Sequence, residues 1–373
     1  MIRKFFQSID WILFCATLPI LGAGLVTMNS FSGNSTLFQH QLIWIPVALV
    51  VFFILSGMNL SFLKRTSVLT TLFLFSCGVL LSLFIVGHVA KGSQSWFRLG
   101  FFSLQPSEIA QILIILILAK YFSRRHIEIR NVRHILVSGL YSFIIFILII
   151  AQPDFGGAIV IFFIWFGMVL VSGISKRHLL AVVMIGVVSF GGLWMYAFKD
   201  YQKDRILTFI HPLADIHGAG YNAYQSTIAV GSGQVLGKGI GYGTQSKLSY
   251  LPEYQTDFIF AAFAEEWGFI GVVLLFVMYG IVIWRILSNA MYGATNFEVL
   301  YGAGVGILFM THIVINIGMN IGLLPVTGVT VPFMSYGGSH LVTEFIALGI
   351  LMSMRKNRRS IHRDVASNEF VGI

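Results

Sequence analysis

Charge is what this chain of 373 residues has least of: charged side chains make up 10% of it, and only 15 residues are acidic. Soluble domains carry about a quarter charged residues, so a freely soluble globular fold is excluded. Cysteine is nearly absent as well. Cys15 and Cys77 fall in separate apolar runs, so no disulfide or metal-ligand spacing follows and both read as small core residues. There is no internal repeat, no low-complexity tract and no small-residue cleavage site after the first apolar run, so that run is not read as a signal peptide.

What is abundant is apolar sequence, 57% of the chain. Runs of about 17–25 apolar residues suit a membrane span, and ten occur, at roughly 10–28, 41–58, 67–88, 106–122, 133–151, 156–174, 177–197, 257–285, 299–322 and 335–354. They predict an all-α membrane protein, a polytopic bundle forming one domain over 1–373. The net charge of +9 is distributed as topology. Arg3 and Lys4, Lys64 and Arg65, Arg124 to Arg133, Lys176 and Arg177, Arg285 and the tail from Arg355 to Arg363 share one side if the spans alternate. This positive-inside pattern predicts cytoplasmic termini. It leaves the tail for anionic lipid and argues against a nucleic-acid partner.

The long connection, 198–256, then lies outside the cell. It contains a predicted short helix at Tyr221–Val230 and a glycine-rich stretch over 231–246 with no Walker pattern. That stretch reads as a flexible loop approaching a bulky ligand. The same face collects Trp96, Arg98, Glu108, Asp154, Lys203, Arg205, Lys238, Lys247, Glu253 and Asp257. Charges of both signs on one face suit a charged, amphiphilic substrate.

Ionisable groups inside a span are costly and mark function by default. Asp257 heads a predicted span whose Ala261, Ala264, Gly268 and Gly271 share its helical face. It reads as a functional carboxylate at the outer interface or as an ordinary helix N-terminus, with Thr256 as the cap. Glu265 and Glu266 point elsewhere and read as polar contacts within the bundle. His312, Asn316 and Asn320 form one polar stripe, and His340 and Glu344 an i, i+4 pair; interhelical hydrogen bonding accounts for both, while a proton relay keeps a transporter reading open. Lys203, Arg205 and Lys238 are candidates to hold a phosphate.

Six segments carry a resemblance: KGSQSWFRLGFFSLQPSE (91–108), AQPDFGGA (151–158), DRILTFIHPLADIHGAGYNAYQSTIAVGSG (204–233), GKGIGYGTQSKLSYLPEYQTDFIF (237–260), NIGMNIGLLPVTG (316–328) and VPFMSYGGS (331–339). In this order they resemble the SEDS (shape, elongation, division, sporulation) family. Gly-Thr-Gln-Ser at 243–246 favours its RodA branch over the division-specific one. The resemblance implies a peptidoglycan glycosyltransferase of the bacterial inner membrane that polymerises lipid II at the outer face during cell elongation and rod-shape maintenance. Its partners would be a class B penicillin-binding protein transpeptidase and membrane proteins of the elongation complex. It implies that Asp257, in Thr-Asp-Phe-Ile-Phe, is the essential carboxylate, as a base or as a ligand of a divalent cation, magnesium or manganese. Trp96, Arg98, Glu108, Asp154, Lys203, Arg205, Lys238 and Glu253 are the substrate-binding candidates. The chain departs from the family pattern at Ser95 (usually Arg), Gln111 (usually Lys), Gln255 (usually His) and His340 (usually Ser); Arg98 and His340 are the candidate substitutes for the missing cations. A precursor flippase and a non-catalytic transpeptidase scaffold are the competing readings.

Overall fold

The computed structural model describes residues 9–30, 36–90, 93–99, 102–124, 132–196, 203, 207, 209, 219–248, 250, 251 and 253–368. Each predicted apolar run becomes a helix of at least 17 residues. These are α1 (Trp11–Ser30), α2 (Thr36–Gly57), α3 (Thr66–Val86), α4 (Pro106–Ser123), α5 (Val132–Ala151), α6 (Phe155–Val171), α7 (Lys176–Tyr196), α10 (Ile259–Met291), α11 (Asn296–Asn320) and α12 (Gly338–Asn368). Among the described residues seven are long and apolar enough to cross a membrane, and α6 is a shorter apolar helix. Two smaller helices, α8 (Ala219–Ser232) and α9 (Thr244–Lys247), lie in the long connection. The first covers the helix predicted at Tyr221–Val230.

The bundle is organised around α4 and α11. Nearly every described side chain of α4 is buried, from Pro106 to Phe122, as expected of a helix apolar all round. Helix α11 packs against α4 and α6, α10 runs along α1 and α11, and α12 along α2. Lipid tails are as apolar as leucine, so close packing rather than transfer from water holds such helices together. Gly304 shows how: a Cβ there would press into Ile115 of α4 and Met168 of α6.

Three features differ from the sequence reading. The connection before α4 folds as a small antiparallel sheet, β1 (His88–Ala90), β2 (Ser93–Leu99) and β3 (Phe102–Leu104), in that spatial order. His88 lies opposite Trp96, and Arg98 opposite Ser103. Cys15 is exposed on the helix surface rather than set in the core.

The third difference concerns the span that Asp257 was expected to head. The helix begins at Ile259, and Gly268 breaks it with φ 64° and ψ −167°. That backbone conformation is open essentially to glycine alone. The stripe from Asp257 to Gly271 is therefore not continuous. Main-chain groups freed by the break are taken up by the glycine-rich loop. Phe269 N donates to Gln234 O (2.8 Å), Ile270 N to Val235 O (3.1 Å), Lys238 N to Glu265 O and Gly239 N to Glu266 O (both 3.0 Å). Broken backbone at membrane depth persists only where protein satisfies it, and here residues 234–239 do so. The stretch read as flexible is thus locked to α10.

Candidate active site

Asp257 sits in a turn over residues 253–258, half-buried, just before the first turn of α10. Three successive carbonyls of this turn are held from outside it. Gln255 O accepts from Tyr336 N (2.9 Å), and Thr256 O from Ser335 Oγ (2.8 Å). Asp257 O accepts from Asn316 Nδ2 (3.0 Å) and Asn320 Nδ2 (3.1 Å). Ser335 is itself fixed because its Oγ accepts from Val331 N (3.0 Å), and Asn316 also donates to Val329 O (2.8 Å). The polar stripe of α11 is thus bonded to the aspartate's own backbone.

Gly328 packs beside the Asp257 carboxylate: a Cβ there would lie 3.7 Å from Asp257 Oδ2, and its φ of +77° favours glycine. Glu253 is exposed with φ 55° and accepts from Thr256 Oγ1 (2.9 Å). Thr256 does not cap α10: its N-cap is Phe258, without a side-chain cap bond. Gln255 is buried, its amide donating to Met28 O (3.2 Å) and Tyr254 Oη (3.0 Å). It ties the end of α1 to the turn as a neutral strut.

Other predicted site residues have structural partners. Lys238 Nζ lies 2.8 Å from Glu265 Oε1 and donates to Thr244 Oγ1 (2.8 Å). Its charge is matched by Glu265. Glu265 also accepts from Gln245 N (3.0 Å) and from Ser246 N and Oγ (3.4 and 3.3 Å). Glu266 accepts from Gly241 N (2.7 Å). Both glutamates therefore pin the glycine-rich loop, as intramolecular polar contacts should.

Asp154 caps α6, accepting from Gly157 N (2.8 Å), Gln105 Nε2 (3.0 Å) and Ser107 Oγ (3.3 Å). These bonds engage both its oxygens. Glu108 is buried 3.3 Å from His340 Nδ1, and His340 Nε2 lies 2.9 Å from Glu344. The His340 ring stacks on His312 at 5.0 Å, and His312 Nε2 meets Gln111 Oε1 at 3.3 Å. Glu108 is thus enclosed with an imidazole. His340 sets an ionisable nitrogen base between two carboxylates beside the neutral Gln111. Glu344 accepts from Phe333 N (3.0 Å), joining this cluster to the segment that holds Asp257.

Trp96 is half-buried on β2, Ser95 beside it is buried, and Lys203 is half-buried. Arg205 and the side chain of Arg98 lie outside the described residues. Asp257 and Glu253 therefore share one turn, while Lys238, Glu108 and Asp154 are engaged elsewhere. Sequence reading gave Ser335 no role and treated Asn316 and Asn320 only as glue. Their four-residue spacing was the visible signal; their target on the Asp257 backbone was not. No group of three or more His, Cys, Asp or Glu side chains among the described residues is arranged to hold a metal.

A family model for cell cycle proteins of the FtsW, RodA and SpoVE group matches residues 5–360. The chain belongs to this family. Peptidoglycan glycosyltransferase MrdB of Escherichia coli K12 is 37% identical over 279 residues, 75% of each chain. Rod shape determining protein RodA of Thermus thermophilus matches with a TM-score of 0.71 and 28% identity, over 94% of this chain and 97% of that one. A chain from a peptidoglycan synthase complex, described for its coordination of polymerization and crosslinking, matches with a TM-score of 0.80 and 29% identity, over 94% and 98%. Like these FtsW/RodA relatives, the chain is a multi-pass bacterial membrane protein.

Proposed function

We propose that this member of the FtsW/RodA family is a peptidoglycan glycosyltransferase that polymerises lipid II, with Asp257 as the residue that handles the acceptor. The observation that carries the reading is Asp257 itself: a half-buried aspartate on a turn whose backbone is held at three consecutive carbonyls. The positive-inside distribution of basic residues supports cytoplasmic termini and an extracytoplasmic active face.

In this reaction the acceptor sugar's 4-hydroxyl oxygen attacks the anomeric carbon of the donor. The new glycosidic bond forms as the bond to the lipid pyrophosphate breaks, with inversion. Asp257 accepts the hydroxyl proton and releases it to water. An exposed aspartate near its ordinary pKa of about 3.9 is a weak base; substrate closing over the turn would strengthen it by removing water. Negative charge grows on the departing pyrophosphate, so fixed cations should lie near it. With Lys238 paired to Glu265, the cations assigned to this task are Lys203, Arg205 and Arg98, with Trp96 and Glu253 lining the entry. A divalent cation, magnesium or manganese, would supply further charge for the pyrophosphate, with Asp257 as its carboxylate ligand in place of the base.

We assign the elongation branch from Gly-Thr-Gln-Ser at 243–246. A class B penicillin-binding protein is the proposed partner, in line with the synthase complex whose chain this one matches, and the rest of the elongation machinery would assemble around the pair.

The deciding experiment compares purified wild type and Asp257→Ala in lipid II polymerisation. Glycan strands from the wild type and none from a correctly inserted D257A protein are expected. Equal polymer from both would overturn the assignment. Lipid II crossing vesicles in D257A, without polymer from either protein, would favour the transporter reading.

A further inference from the structure

We infer that Asn320 is the positioning residue that keeps Asp257 out of the helix it precedes. This role rests on the function proposed for Asp257 and deepens it. In a regular first turn the Ala261 N–H would reach the carbonyl four residues back, that of Asp257. Here the Asn320 carboxamide occupies that place. Its Nδ2 donates to Asp257 O (3.1 Å), and its Oδ1 accepts from Ala261 N (3.1 Å). One side chain from α11 thus bridges the two groups that would otherwise bond to each other.

The bridge is rigid. Asn320 is completely buried. Its Nδ2 also meets Asn316 O and Oδ1 (2.8 and 3.2 Å), and its main-chain O and its Oδ1 accept from Ser226 Oγ (2.9 and 3.3 Å). Asn316 Nδ2 adds a second bond to Asp257 O (3.0 Å). The carboxamide has both a donor and an acceptor, and the site uses both. Aspartate at 320 would keep the acceptor and lose the donor; alanine would lose both and let the 257–261 bond close. Closure winds Asp257 into α10 and swings its carboxylate away from Gly328. A displacement of about 1 Å at a reacting group costs on the order of 100-fold in rate.

The test measures lipid II polymerisation kinetics and detergent melting for wild type, Asn320→Ala, Asn320→Asp and Asp257→Ala. The expected result is a fall in kcat on the order of 100-fold in both Asn320 variants, with an unchanged KM for lipid II. N320D, which preserves volume but sets an acid against the Asp257 and Asn316 carbonyls, should also lower the melting temperature. Its kcat loss should persist at temperatures where it stays folded, and adding N320D to D257A should change nothing further in kcat. Wild-type kcat in folded N320D overturns the role, as does a loss shared equally between kcat and KM. An active D257A protein would instead overturn the function reading beneath it.

Discussion

The Asp154 carboxyl is enclosed, and the effect is visible at each of its oxygens. Burial raises the pKa of Asp154 above its ordinary value. The bonds from Gly157 N, Gln105 and Ser107 oppose that shift, and the charge of Glu108 adds to it. A carboxyl whose folded pKa is raised keeps its proton in the folded state after the unfolded chain has released it. Stability therefore falls as pH rises from the unfolded value, 3.8, through the raised one. Asp154→Asn should remove that slope, seen by melting the detergent-solubilised protein across a pH series. It should also retain a cap acceptor for Gly157, whereas Asp154→Ala should cost about 1 kcal/mol at neutral pH for the lost cap.

Among the elements, α10 carries the most consequential irregularity. Its first segment, Ile259 to Glu266, is buried throughout and bears both glutamates. Beyond the break, Phe269, Ile270, Leu274 and Val277 face outward. The break divides a buried, polar-anchored half-helix from a lipid-facing span, and the loop over 234–239 is wedged against it. A Cβ at Gly268 would strike Gly237 N, and one at Gly237 would strike Glu266 O. Gly268→Ala combines this backbone clash with a conformation disfavoured for L-residues, about 1–3 kcal/mol for the backbone alone. The expected outcome is a clearly lowered melting temperature and faster proteolysis within 234–247. A wild-type melting curve would show that α10 can straighten without cost.

Across the whole molecule, the end opposite Asp257 is closed by another acid. Asp10, buried at the start of α1, accepts from Arg285 Nε (3.0 Å) and Nη2 (2.5 Å) and from Asn289 (2.7 Å), with Arg355 Nη1 at 3.0 Å. One carboxylate thereby ties together α1, α10 and α12. Burial pushes its pKa up, but the bonds from Arg285, Asn289 and Leu13 N, with the charge of Arg355, outweigh it and the net shift is downward. The sign is opposite to that of Asp154: this stability is fully present above the unfolded value of 3.8 and is lost as pH falls through the depressed folded value. Asp10→Asn should destabilise the protein at pH 7, seen as a lowered melting temperature, by less than the ~3–5 kcal/mol of a fully buried broken pair, because both arginines remain partly exposed. The deficit should persist down to pH 3.8 and close only below it.

How much of this was legible beforehand divides along one physical line. The ten spans, the short helix in the long connection and the suspicion attached to Asp257 follow from sequence alone, because a bilayer imposes length and apolarity on each segment separately. The sequence also marked Asn316 and Asn320 by their spacing and Glu265 and Glu266 by their cost. Only the tertiary structure decided what those groups meet. Lys238 turned to Glu265, Asp154 to its own helix, His340 to two carboxylates, and the Asn320 carboxamide into the turn that carries Asp257. A buried polar group must find a partner, and the partners here come from residues far along the chain, 232 positions away for Glu108 and His340 and 345 for Asp10 and Arg355. No local pattern encodes such pairings; close packing of the bundle selects them.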